Sequence, residues 1–129
     1  MRLVVLETPF AGDVERNLTY ARACMRDCLL RGEAPYASHL LYAQPGVLDD
    51  NDPDERNLGI EAGLHWGAQA EATVVYTDLG ISPGMQLGIQ AARRAGRKVE
   101  YRTLNQDEGS SSITVDVVTY RDNNIVGAA

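Results

Sequence analysis

The stretch 72–88, ATVVYTDLGISPGMQLG, constrains the fold more than any other part of this chain. It begins with β-branched and aromatic residues at 73–76, a run typical of a strand buried on both faces. The run stops at Asp78, and a short turn follows. Ser82 is a good N-cap, and Pro83 suits the first helical position, where its missing N–H is not needed. The stretch therefore predicts a buried strand, a turn and a helix.

This strand-to-helix junction places an acid at the edge of the sheet where ligands bind in open α/β folds. The backbone N–H groups of Gly84 and Met85 lie in the first turn of the predicted helix, where they can receive an anion such as a phosphate. Asp78 is therefore a candidate ligand contact. The alternative, that Asp78 only shapes the turn, stays open.

Short apolar runs alternate with amphipathic segments along the first hundred residues. We predict strands at 2–7, 34–38, 73–76 and 98–102, and helices that start at the N-caps Asp13, Asp52 and Ser82 and end near residues 31, 69 and 96. This β-α-β-α-β-α-β order requires mostly parallel strands joined by right-handed crossovers. The expected fold is α/β: a doubly wound, mostly parallel sheet of four or five strands, flavodoxin-like or Rossmann-like.

The end of the chain departs from this alternation. Residues 105–112 are polar and rich in serine, so we expect residues 1–104 to form the domain and residues 105–129 a C-terminal extension. The extension contains ITVDVVTY at 113–120, which predicts an extra strand because polar and apolar residues alternate there. Such a strand could lie antiparallel at an edge of the sheet or pair with a neighbouring subunit.

Residues 39–51 are too long for a minimal connection and could form a lid or an oligomer contact. Asp52-Pro53-Asp54-Glu55 follows as a strong helix start, with Asp52 as N-cap and Glu55 placed to close a capping box. We favour capping over calcium binding here, because no glycine-centred loop with ligands on alternate residues is present. We therefore predict no metal site. The helix is expected to bury Leu58, Ala62, Leu64, His65 or Trp66.

Composition narrows the classes of partner. The 129 residues carry a net charge of −6, which disfavours a nucleic-acid backbone or an anionic membrane and leaves a small ligand as the simplest partner. Cys24 and Cys28 lie one helical turn apart and are expected to be buried thiols, not a disulfide or a zinc site. The first residues do not resemble a signal peptide, and no apolar run is long enough to span a bilayer. These features predict a soluble, cytoplasmic protein.

Several motifs occur in the order found in a known superfamily. They are the loop Thr8-Pro9-Phe10-Ala11-Gly12 after a first strand, the Pro35 to His39 segment, the acid-ended strand, and the string Ser82-Pro83-Gly84-Met85-Gln86-Leu87-Gly88 followed by Gly96. Residues 2–104 resemble the nucleoside 2-deoxyribosyltransferase superfamily, especially its small phage and actinobacterial members. The resemblance implies a homo-oligomer that cleaves or exchanges the N-glycosidic bond of a nucleoside or nucleotide. It also implies a nucleophilic Glu near the start of the helix after the acid-ended strand.

The chain departs from this superfamily at the nucleophile. Matching the Gly-Met-x-Leu-Gly string puts Gln86 at that position, whereas counting back from Gly96 puts Gly88 there, and neither is a carboxylate. The resemblance implies that Asp78 is a sugar-binding acid and that Phe10 is an aromatic residue near the substrate. Glu61, on the preceding helix, is the other acid considered as a catalytic candidate, although a solvated helix residue is its more common role.

Two functions of different classes follow. The first is binding of a nucleotide without turnover, such as a phage sponge that sequesters a cyclic ADP-ribose-type immune signal; the second is an N-glycosidase or deoxyribosyltransferase in which Asp78 or Glu61 acts. The missing carboxylate favours the first, and neither requires a cofactor. The ligand is expected over the C-terminal ends of the first and third strands. The predicted contacts are Pro9, Phe10, Gly12, His39, Asp78, Ser82, Gly84, Met85 and Gln86.

Overall fold

A computed structural model describes residues 1–104 of the chain. The strands are β1 (Arg2–Glu7), β2 (Glu33–Tyr36), β3 (Ala72–Tyr76) and β4 (Lys98–Arg102), and the helices are α1 (Val14–Leu30), α2 (Ser38–Leu41), α3 (Pro53–Gly67) and α4 (Pro83–Arg94). The four strands form one sheet in the order β2-β1-β3-β4, and all neighbours are parallel. The predicted doubly wound α/β fold is confirmed. The predicted strand at 113–120 lies outside the described residues.

One face of the sheet packs against α1. Val4, Leu6 and Val74 project from this face into a buried cluster with Tyr20 and Cys24 of α1. Alternate residues of a strand point to opposite faces, so the even-numbered residues of β1 and β3 supply this layer. Cys24 and Cys28 are free thiols buried in the helix, as predicted from their spacing. Apolar side chains fill the centre of this face.

The opposite face carries α3 and α4, as right-handed crossovers require. Met85 and Ile89 of α4 pack against Val75 of β3 in a smaller buried cluster. Helix α3 covers the sheet only loosely, because Gly67 is its single buried residue. The expectation that α3 buries its large apolar residues is wrong, since Leu58 and Trp66 are each 58% exposed. A space therefore stays open between α3 and α4.

The helix starts follow the predicted capping chemistry with one exception. The Asp13 and Asp52 carboxylates and the Ser82 hydroxyl each accept a backbone N–H from the first turn of their helix. Glu55 does not close the predicted capping box, because its Oε1 accepts the Asp49 N–H at 2.7 Å. Its carboxylate is thereby used to fasten the preceding loop to α3.

A buried ionic network ties the two outer strands to the α1 face. The Arg102 guanidinium of β4 makes two hydrogen bonds to Glu33 of β2, at 2.8 and 2.5 Å, and a third to Glu100. Burial alone would raise the pKa of Glu33, but the guanidinium groups of Arg102 and Arg2 outweigh burial and lower it. The hydrogen bond from Arg2 lowers the pKa of Glu100 to about 2. Both carboxylates are therefore ionised at neutral pH. Among residues 1–104, no helix is long and apolar enough to cross a membrane.

Candidate functional site

Asp78 follows β3 at the C-terminal edge of the sheet, where the sequence places it. Its Oδ1 accepts a hydrogen bond from the Tyr20 hydroxyl at 2.5 Å, and both carboxylate oxygens accept from the Leu104 N–H, at 2.9 and 3.1 Å. The Asp78 N–H in turn donates to the Tyr20 hydroxyl at 3.1 Å. The carboxylate thus joins α1 to the chain that leaves β4, and these contacts give it a structural role.

The predicted contacts on the loop after β1 lie together. Phe10 and Gly12 line an open depression of about 640 Å³ beneath residues 43–51. The Phe10 ring contacts the His39 ring at a centroid distance of 5.3 Å, and His39 Nε2 forms a 2.9 Å hydrogen bond with the Thr8 hydroxyl. Burial lowers the pKa of His39 to about 4, so its imidazole is neutral at physiological pH. Pro9 is buried in the same loop.

The predicted contacts at the start of α4 are engaged in capping the helix. Met85 is fully buried, its N–H donates to the Ser82 hydroxyl at 3.2 Å, and its sulfur accepts the Ser82 N–H at 3.4 Å. Gly84 is buried beside them, and Gln86 is exposed on the outer side of the helix. The open depression is not lined by Ser82, Gly84, Met85 or Gln86. The same four residues are also absent from the lining of a second cavity, which lies between α3 and α4.

That cavity, of about 240 Å³, lies on the sheet face between α3 and α4. Its floor is β1, where Val5 and Glu7 point away from α1. Its remaining polar and charged lining residues are Tyr36, Ser38, Arg94 and Arg97, and its apolar lining includes Ile60, Leu64, Leu87 and Ala91. A concave, mainly apolar space with a few converging polar groups is typical of a small-molecule site.

Glu7 is the most unusual residue of the cavity. It is only 5% exposed, and its Oε1 has no hydrogen-bond partner among the described residues. Burial raises the pKa of Glu7 to about 8, against the opposing charge of Arg97. Buried carboxyl groups without a partner are rare, and they concentrate at functional sites. Glu7 therefore becomes the leading candidate for chemistry in this chain.

The Glu7 carboxylate lies against α4 at Gly88. A Cβ atom at position 88 would overlap the carboxylate, with Oε1 only 2.8 Å away, so a larger residue there would require the Glu7 carboxylate to move. Gly88 is one of the two positions at which the resemblance given above implies a nucleophilic carboxylate. The carboxyl group beside Gly88 comes from Glu7 of β1 and not from α4.

Tyr36 forms the wall of the cavity at the end of β2. Its hydroxyl is buried and has no hydrogen-bond partner within residues 1–104. Its ring stacks on Trp66 of α3 at a centroid distance of 5.9 Å, and burial raises the pKa of the phenol. The cavity therefore presents two polar groups, the Glu7 carboxyl and the Tyr36 hydroxyl, whose hydrogen-bonding capacity the described part of the protein leaves unused.

The two acids proposed from the sequence as catalytic candidates lie elsewhere. Glu61 is exposed on α3 and does not line the cavity, and Asp78 is engaged by Tyr20 and Leu104. Sequence reasoning missed Glu7 because it treated the residue as the end of an apolar strand. Within residues 1–104, no group of three or more His, Cys, Asp or Glu side chains is arranged to hold a metal ion.

The chain belongs to a protein family. The family model described as a domain of unknown function, DUF7768, matches residues 2–102, which is most of the chain and nearly all of the described fold. No curated protein and no solved structure matches it.

Proposed function

We propose that this member of the DUF7768 family binds a nucleoside or nucleotide in the cavity between α3 and α4 and acts on its N-glycosidic bond through Glu7. One observation carries the proposal: the Glu7 carboxyl group fills the space beside Gly88. The resemblance to nucleoside 2-deoxyribosyltransferases implies a carboxylate at this point of the fold. The sequence argument for a binder without turnover rested on the absence of that carboxylate.

The chemistry follows from the group's position. An ionised Glu7 attacks C1 of the sugar, the C1–N bond breaks, and the base leaves with the bonding electron pair and takes up a proton. The glycosyl ester that forms is then hydrolysed by water or transferred to a second base, which regenerates the carboxylate. The same negative charge balances the positive charge that develops on the sugar in the transition state.

A second candidate function is binding without turnover, and the protonation of Glu7 supports it. Because burial raises the pKa of Glu7 to about 8, the carboxyl group is mostly protonated at neutral pH, and a neutral acid is a poor nucleophile. Such a group donates a hydrogen bond to a ligand instead. In a phage, a protein of this kind would act as a sponge that holds a nucleotide-derived immune signal, such as a cyclic ADP-ribose derivative, intact.

Self-association forms part of the proposal. The exposed apolar residues of α3 and of the segment 39–51, including Leu58, Trp66 and Val47, supply surface for a homo-oligomer. The resemblance implies assemblies in which a neighbouring subunit completes each site.

Mass spectrometry of bound and released material separates the two functions. The protein is incubated with a mixture of common nucleosides and nucleotides, and the solution is analysed before and after denaturation. An N-glycosidase releases free base in catalytic amounts, whereas a sponge returns an intact ligand only on denaturation.

Two Glu-to-Gln variants identify the residue that reacts with the sugar. Glu7→Gln keeps the shape of the side chain but cannot attack, so base release should fall by roughly 10³-fold or more. Glu61→Gln makes the same substitution at an exposed position of α3, and its activity should match that of the unaltered protein. Base release by Glu7→Gln at the unaltered rate would exclude Glu7 as the reacting group.

A further inference from the structure

The cavity between α3 and α4 has a carboxyl group at one end and two guanidinium groups at the other. Glu7 lies beside the middle of α4, together with Leu87 and Gly88. Arg94 in the last turn of α4 and Arg97 just beyond it line the other end, where Gly67 closes α3. We call this second region, formed by Gly67, Arg94 and Arg97, the arginine end of the cavity.

Arg97 is held in place by neutral partners. Its Nε donates to the Thr73 hydroxyl at 3.0 Å, and its Nη1 donates to the Gly67 carbonyl at 2.7 Å. A side chain at position 67 would crowd Arg97, because a Cβ there would lie 3.3 Å from Nη2. Neither partner carries a negative charge, so the guanidinium is oriented but its charge is not neutralised. Within the described residues, Nη2 makes no hydrogen bond.

Arg94 adds a second positive charge at the same end. Its side chain is exposed, and no carboxylate within residues 1–104 forms a salt bridge with it or with Arg97. By contrast, Arg2 and Arg102 of the sheet both contact Glu33 and Glu100. The arginine end of the cavity therefore carries two guanidinium groups without a paired carboxylate among the described residues.

We propose that the arginine end of the cavity binds the phosphoryl group of a phosphorylated sugar whose hydroxyl groups reach the Glu7 and Tyr36 end. Guanidinium groups match the geometry of phosphate oxygens, and two of them balance a dianion. The buried and unpartnered Glu7 Oε1 and Tyr36 hydroxyl independently indicate a polar ligand in the same cavity. The inference rests on the proposed function only in assigning the ligand to this cavity.

The dimensions of the cavity suit such a ligand. Leu87 and Arg94 both line it and are separated by seven positions of one helix, which corresponds to about 10 Å at 1.5 Å per residue. With a volume of about 240 Å³, the cavity is smaller than most pockets for drug-sized molecules. A phosphorylated pentose is small enough to place its phosphate at one end and its hydroxyl groups at the other.

Trp66 provides a direct readout of binding. It is the only tryptophan in the sequence, and it stacks on Tyr36, whose side chain lines the cavity. Ribose 5-phosphate and ribose are titrated into the full chain at constant ionic strength while the tryptophan fluorescence is recorded. The unaltered protein should bind ribose 5-phosphate about tenfold to a hundredfold more tightly than ribose, as expected for charge-assisted contacts.

Two neighbouring arginines give a matched pair of variants. Arg94→Gln should remove most of the preference for ribose 5-phosphate and leave the affinity for ribose unchanged. Arg93→Gln also removes an exposed positive charge, but Arg93 donates to the Tyr101 hydroxyl at 2.9 Å and does not line the cavity, so the preference should persist. Both positions are exposed, and both variants should fold.

Three outcomes would overturn the inference: equal affinity for the two sugars, no binding of either, or an equal loss of preference in Arg93→Gln and Arg94→Gln. The release of free base is measured separately. A phosphate preference without base release would contradict only the glycosidase proposal. Base release from nucleosides, without a phosphate preference in the sugar titration, would contradict only the arginine-end site.

Discussion

The Glu7 carboxyl group destabilises the fold that contains it. Its Oε1 is removed from water without a compensating hydrogen bond in the described residues, and such burial raises the free energy of the folded state. Asp78 and Glu33 are also acids at strand ends, but they accept hydrogen bonds from neighbouring residues. A residue that opposes folding and faces a cavity is best explained by its chemistry.

The stability of the protein should fall as the pH rises through the titration range of Glu7. The folded-state pKa of about 8 exceeds the ordinary value of 4.5, so the folded protein binds a proton that the unfolded chain releases in this interval. The stability that depends on the Glu7 proton is therefore fully present below pH 4.5 and is lost as the pH rises through about 8. Glu33 and Glu100, whose pKa values are lowered, act in the opposite direction and only in acid.

Thermal unfolding of Glu7→Gln measures this contribution. The variant should show a flatter dependence of Tm on pH between 5 and 9, and at pH 9 its Tm should exceed that of the unaltered protein by roughly 4 °C or more. Glu61→Gln, at an exposed position of α3, should follow the unaltered protein at every pH. An identical pH dependence in Glu7→Gln and the unaltered protein would show that Glu7 does not carry the buried proton.

At the scale of elements, β1 and α4 lie close together at one point of the site. The carboxylate of Glu7 on β1 occupies the space that a side chain at position 88 of α4 would need. Glycine inside a helix ordinarily destabilises it by about 1 kcal/mol relative to alanine. Gly88 nevertheless lies in the middle of α4, because a Cβ there would collide with the Glu7 carboxylate. Gly88 therefore lowers the stability of α4 but leaves room for the Glu7 carboxyl group of β1.

Moving the carboxylate from position 7 to position 88 tests whether the two residues are coupled. Gly88→Ala alone should destabilise the protein despite its better helix propensity, because the new Cβ displaces the Glu7 carboxylate. The double variant Glu7→Ala/Gly88→Glu returns a carboxylate to the same cavity from α4, and it should recover at least part of the base release that Glu7→Ala loses. Chemical denaturation and the base-release assay measure the two effects.

Gly88→Ala in the background of Glu7→Ala serves as the control for this exchange. With the carboxylate removed, alanine at position 88 meets no obstacle and should stabilise α4 by about 1 kcal/mol relative to glycine. If Gly88→Ala has the same effect with and without Glu7, the two residues are not coupled.

The fold was predictable from local patterns, whereas the site was not. The apolar runs of β1 and β3 and the N-caps Asp13, Asp52 and Ser82 are local signals, and each marks an element that the structure contains. The pairing of Glu7 with Gly88 joins residues far apart in the chain, and neither position shows it alone. A carboxylate that ends a doubly buried strand, and a glycine at the expected nucleophile position, were the available clues.

The loose packing of α3 against the sheet also could not be predicted from the sequence. Its apolar residues are spread around the helix without a dominant face, so spacing did not show which side contacts the sheet. In the structure, small residues meet the sheet and its neighbours: a Cβ at Gly67 would lie 3.5 Å from Val5 Cγ2. The larger Leu58, Leu64 and Trp66 stay more than half exposed as a result.

At the scale of the whole molecule, the two faces of the sheet differ in how closely they are packed. The α1 face is closed by apolar packing and by the ionic network around Arg102. The α3 and α4 face contains the cavity and also the exposed apolar residues of α3. These exposed apolar side chains are available for contacts with another protein molecule. The same face therefore combines the proposed ligand site with the surface that would bind a second subunit.

We expect the protein to self-associate through α3, and two leucines of similar exposure test the surface involved. Leu58 on α3 is 58% exposed and Leu29 on α1 is 49% exposed, so a charge at either position is accommodated by the folded monomer. Size-exclusion chromatography with light scattering should show a dimer or larger assembly at micromolar concentration for the unaltered protein and for Leu29→Glu. Leu58→Glu should elute as a monomer, because a buried unpaired charge opposes association. A monomeric unaltered protein, or equal dissociation of both variants, would contradict association through α3.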